Sequence, residues 1–110
     1  MEDARDWEAV GDAMLERTGL AGASEDMLEL ARAYGLILWP TRREGASVRR
    51  GRIVFDERAT LAQRNRDVAM ALARWALAAC GLRSDDIAAH VAARTLLRRA
   101  MPRSLAQAGN

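Results

Sequence analysis

The sequence contains no lysine; all 17 of its basic residues are arginine. That excludes a lysine Schiff base and the lysine-bearing phosphate loop. Alanine is abundant too, so GC-rich codon usage is the plainer source of the bias. A single histidine, His90, excludes any site built on two imidazoles of one chain. The single cysteine, Cys80, cannot form an internal disulfide and fits a reducing compartment. No apolar run approaches the roughly 18–20 residues that span a bilayer. The acidic start, MEDARDWEAVGD, lacks the basic and apolar regions of a secretory signal. A cytoplasmic protein without membrane contact and without a cofactor is expected.

What is present is globular in balance: 110 residues, 50% hydrophobic and 29% charged. That is the size of one domain, 1–110, able to bury roughly two-thirds of its unfolded surface. The charge is unevenly spread. Residues 1–30 carry nine acids against Arg5 and Arg17, a net of −7; residues 31–110 carry fifteen arginines against six acids, a net of +9. The acidic segment lies against the basic remainder, or a basic face meets an acidic partner or nucleic acid; sequence does not choose.

Residues 3–18 read as an amphipathic helix with Trp7, Val10, Met14 and Leu15 on one stripe and Gly19 as its stop. Ser24 is the expected N-cap of a second helix that buries Met27, Leu30, Ala31 and Tyr34 and ends at Gly35. Leu36 to Trp39 reads as a strand stopped by Pro40, Thr41 to Ser47 as a turn, and Arg52 to Phe55 as a second strand. From Thr60 to Ala79 the pattern is helical again, with Leu61, Val68, Leu72, Trp75, Ala76 and Ala79 at threes and fours. Ser84 is the expected cap of a last helix with Ile87, Val91, Thr95 and Leu96 inward. Pro102 ends it, and residues 103–110 read as a frayed tail. The expected fold is α+β, in the order α-α-β-β-α-α, with a short two- or three-stranded sheet.

No catalytic constellation emerges from the residues themselves. Cys80 sits among Ala78, Ala79 and Gly81 and reads as a small buried side chain. The pairs Asp56-Glu57 and Asp85-Asp86 stand at element starts, where capping explains them. His90 with Asp86 supplies too few ligands for a metal, and Trp7, Trp39 and Trp75 fall on apolar stripes and read as core.

The order of elements carries a resemblance. A strand reading Gly-Arg-Ile-Val-Phe-Asp, a short loop, and a helix containing Ala69-Met70-Ala71-Leu72-Ala73-Arg74-Trp75 resemble the ImmA/IrrE family of small zinc metallopeptidases. In that family the helix carries A-H-E-L-G-H. The downstream pattern is echoed by Asp85, Ala88, Val91 to Ala93, Leu96-Leu97 and Met101-Pro102, with two to three extra residues before Met101. The resemblance covers residues 24–102 and implies a minimal zincin-like fold. It places Met70 and Arg74 at the two zinc histidines, Ala71 at the general-base glutamate and Asp85 at the acidic ligand. A thioether and a guanidinium do not hold hydrolytic zinc, and a methyl group activates no water. The resemblance therefore implies a catalytically inactive relative: a regulatory protein-interaction module of phage or mobile-element origin, partnered with another protein such as a DNA-binding regulator. An Arg74–Asp85 ion pair in place of the metal, or two solvated side chains, are the alternatives there.

The alternative function is nucleic-acid binding through Arg42, Arg43, Arg49, Arg50 and Arg52, and through Arg94, Arg98 and Arg99 with Arg103 beyond. No aromatic is interleaved with these clusters in sequence, so single-strand stacking is not expected, and a solvated face is the first reading.

Overall fold

Each helix start is fixed by a carboxylate or hydroxyl that accepts the otherwise unpaired amides of the first turn. Asp3 does so for α1 (Ala4–Thr18) in a reciprocal capping box with Asp6. Asp26 caps α2 (Met27–Ala33), Thr60 caps α3 (Leu61–Ala79) and Asp85 caps α4 (Asp86–Ala100). Two expected caps are thus displaced. Ser24 is fully buried two residues before the cap, its hydroxyl donating to the Asp26 carbonyl and its amide to the Ala100 carbonyl. Ser84 yields to Asp85, whose carboxylate accepts from the Ala88 amide at 3.0 Å.

Between α2 and α3, the computed structural model, described over residues 1–102, has three strands: β1 (Ile37–Thr41), β2 (Ala46–Arg49) and β3 (Arg52–Asp56). The frayed-tail expectation for 103–110 lies outside the described residues. The expected order lacked β2, which begins within the presumed turn at Ala46 and Ser47 and runs on to Arg49. β3 is central, parallel to β1 and antiparallel to β2. β2 and β3 are joined by two residues, Arg50 and Gly51, with φ of 51° and 78°. Two positive φ values make the primed hairpin turn that suits sheet twist.

The sheet rests one face on α3. Ile53 and Phe55 are buried there, with Leu38, Ala46 and Val48 half-buried beside them. The other side of α3 meets α4 and α1, and the core runs through Leu15, Met27, Leu30, Ile53, Val68, Leu72, Leu77 and Leu96. Buried Asn65 ties α3 to the start of α2, accepting from the Met27 amide at 2.9 Å and donating to the Glu25 carbonyl at 2.8 Å. Beside it, Arg64 bridges Asp26 at 2.6 Å. The expected stripe of α1 is buried as read, whereas Ile87 and Leu61 are exposed in the first turns of their helices.

Helices α1 and α4 approach closely at Gly11. A Cβ there would lie 2.9 Å from the Ala92 carbonyl oxygen and 3.1 Å from the Thr95 side chain. Gly11→Ala should therefore destabilise the fold by about 1–2 kcal/mol, because the clash outweighs alanine's better helix propensity. Urea unfolding checks this; a more stable variant would show that the two helices can separate freely.

Candidate functional site

The positions singled out by the resemblance lie along α3 and at the head of α4. Met70 is half-buried against the core, Ala71 is buried, and Arg74 reaches outward. The expected partner of Arg74 was Asp85; the structure pairs it with Asp86 instead. The reason is the cap. Asp85 turns back onto the Ala88 amide and is held laterally by Arg83 Nε at 2.8 Å, so its carboxylate is not free to cross to α3. Those contacts, the backbone donor first, hold its carboxyl below the ordinary 3.8. Asp56 is lowered in the same way, by the Arg58 amide and then the Arg58 side chain. Among the described residues, no three of His, Cys, Asp and Glu are grouped to hold a metal ion, and His90 is exposed.

A second region is the outward face of the sheet. Strand alternation sends Leu38 to the core and Ile37 and Trp39 away from it, 60% and 46% exposed. The expectation that Trp39 is core fails for a simple reason: among the described residues no helix covers that side of β1. Register places Ile37 beside Arg52, Trp39 beside Val54, and Arg49 across from Arg52. The Arg52 guanidinium lies 4.4 Å from the Trp39 ring centroid, a cation–π contact. An aromatic is therefore interleaved with the arginines in space, though not in sequence. Only the pairing of β1 with β3 brings them together. Arg42 bridges Glu57 at 3.4 Å, whereas Arg43, Arg49, Arg50 and Arg52 are in no ion pair among the described residues.

The third region is a groove of about 940 Å³ between α1, the end of α2 and the end of α3. Val10, Met14, Trp75 and Leu82 make it apolar, and Ala9, Ala13, Ala76 and Ala79 keep it open. Tyr34 and Trp75 meet edge to face there, with centroids 5.4 Å apart. Burial raises the Tyr34 hydroxyl pKa, against the opposing pull of Arg17. Trp75 and Cys80, expected in the core, line or rim this groove, and Cys80 is exposed. The only sequence signal for it is the set of alanines at threes and fours on α1 and α3.

The arginines of α4 divide. Arg99 bridges Asp12 of α1, one of the acid-to-base pairings that the charge split allowed, while Arg94 and Arg98 are exposed and in no ion pair among the described residues. Compared with family models, curated proteins and solved structures, the chain matches none.

Two outcomes follow from this geometry. Because Arg74 and Asp86 are 44% and 85% exposed, Arg74→Ala should lower stability by less than about 1 kcal/mol. A loss of several kcal/mol in a thermal or urea melt would mean the pair is shielded from solvent. The lowered carboxyls of Asp56 and Asp85 contribute stability that is present above 3.8 and lost as pH falls through their folded values. Melting temperature should therefore drop below about pH 4, and Asp85→Asn, which keeps the cap but not the charge, should blunt that drop. An identical acid profile in the variant would contradict the assignment.

Proposed function

We infer that this chain is a metallopeptidase-like domain of the ImmA/IrrE kind without peptidase chemistry, acting by binding as a regulatory interaction module of phage or mobile-element origin. The observation that carries the reading is the character of positions 70, 71 and 74. A thioether packs on the core, a buried methyl stands where a general base would be needed, and a guanidinium is engaged by Asp86. None of these activates water or holds hydrolytic zinc. The α+β arrangement, with a mixed sheet resting on the helix that bears these positions, is compatible with a minimal zincin-like plan. The apolar groove between α1 and α3 offers a protein partner a surface to dock on. A specific observation favours nucleic acid as a second kind of partner: Trp39 stands on an open sheet face among arginines that are in no ion pair among the described residues.

The test restores the missing chemistry. Met70→His, Ala71→Glu and Arg74→His together should give a chain that binds one zinc ion, with Asp86, released from Arg74, as the acidic ligand. Elemental analysis should find zinc in this triple variant, less of it after Asp86→Asn, and none in the parent, which should cleave no peptide. A folded triple variant that takes up no zinc would sink the metallopeptidase-like reading, and a stoichiometric zinc ion in the parent would sink the loss of chemistry.

A further inference from the structure

We propose that the outward face of the sheet binds single-stranded nucleic acid, with Trp39 as the base-stacking platform and Arg49, Arg50 and Arg52 as the phosphate contacts. The inference stands independently of the inactive-peptidase reading, since it uses a different surface and different residues.

Four features of that face converge on this ligand. The first is access: among the described residues no helix packs on the outward row of β1 and β3, and Trp39 is 46% exposed although the Arg52 guanidinium lies over one face of its ring. A base released from a duplex can lie on such a ring, whereas a base inside a duplex cannot. The second is charge. Residues 41–58 hold six arginines against three acids, a net of +3, and two of those acids, Asp56 and Glu57, are already occupied by Arg58 and Arg42.

The third feature is an unrelieved repulsion. Arg49 and Arg52 are direct cross-strand partners, and like charges so placed destabilise a sheet. Neither is neutralised by a carboxylate among the described residues, and a phosphate between them would relieve both. The fourth is the turn. Arg50 occupies a left-handed conformation, φ 51°, where asparagine or glycine is the unstrained choice. The fold thus holds a third cation beside the first two at a conformational cost. Strands of about five residues span roughly 17 Å, room for two or three nucleotides.

A protein partner fits this face less well, because a cluster of unneutralised arginines is costly to desolvate without matching acids. Its chemistry suits any polyanion with exposed π faces, so single-stranded DNA and RNA share it.

Fluorescence anisotropy with labelled twelve-nucleotide oligo-dT, oligo-U and a matched duplex tests the proposal on the full chain. Binding should favour either or both single strands over the duplex and weaken steeply as salt rises. Which single strand binds tighter identifies the source. Trp39→Ala should weaken binding at least about fivefold and Trp39→Phe much less. Arg49→Ala with Arg52→Ala should flatten the salt slope by about 1.4. All of these side chains are exposed, so the variants should keep the parent's circular dichroism, and the double arginine variant, relieved of its cross-strand repulsion, should melt no lower than the parent. The charge-matched control is Arg94→Ala with Arg98→Ala on α4, expected to leave affinity nearly unchanged. Arg50→Asn separates cost from use: it should stabilise the fold while weakening binding. Equal binding of the duplex, an unaffected Trp39→Ala, or an equal loss from the α4 control would each overturn the proposal, as would no binding at low salt.

Discussion

One helix, α3, is the layer on which everything else rests. Its Val68, Ala69, Leu72, Ala73 and Leu77 are buried, with the sheet on one side and α4 and α1 on the other. Small side chains make this possible, since Ala88, Ala89, Ala92 and Ala93 let α4 lie close, and Gly11 does the same where α1 meets α4. Buried Asn65 and the half-buried Arg64–Asp26 pair then fix the start of α2 to the same helix. The consequence is geometric. Among the described residues, with the other helices engaged elsewhere on α3, none covers the sheet's second face, and Ile37 and Trp39 there meet solvent.

The charge distribution gains meaning in that frame. Part of the acidic N-terminal surplus is spent internally, with Asp12 on Arg99 of α4 and Asp26 on Arg64 of α3. Glu2 accepts from the Trp7 indole at 2.7 Å and from the Arg83 amide at 2.6 Å, closing α1 against the α3–α4 connection. Among the described residues, Arg49, Arg50 and Arg52 are in no ion pair and stand together on β2, the hairpin turn and β3. Arginine suits that position better than lysine, because a planar guanidinium lies flat on an indole and still donates at its edges.

The helices were legible because their signals are local: an apolar stripe at threes and fours and a glycine after the last turn, although two caps fall on Asp26 and Asp85 rather than on Ser24 and Ser84. The stripe of α1, Trp7 to Leu15, is buried as read. What escaped was whatever depends on pairing across the chain. β2 was hidden because it is only four residues long, with Val48 its one strong strand former, and its turn uses Arg50-Gly51 rather than an asparagine. Trp39 reads as core in a short apolar run; its exposure shows that among the described residues no helix covers its side of β1. Asp85 and Asp86 are chemically alike in sequence, and the cap decides which of them is free to meet Arg74. The groove escaped for the same reason, being a space between three helices rather than a property of one.

The account turns on the uncovered sheet face being a working surface, and amide and indole NMR mapping with oligo-dT addresses that most directly. The prediction is that chemical-shift changes concentrate on the Trp39 indole N–H and on the amides of Arg49 to Val54, with little movement in α4. Changes confined to the Arg94–Arg99 turns, or to the groove at Tyr34 and Trp75, would contradict it.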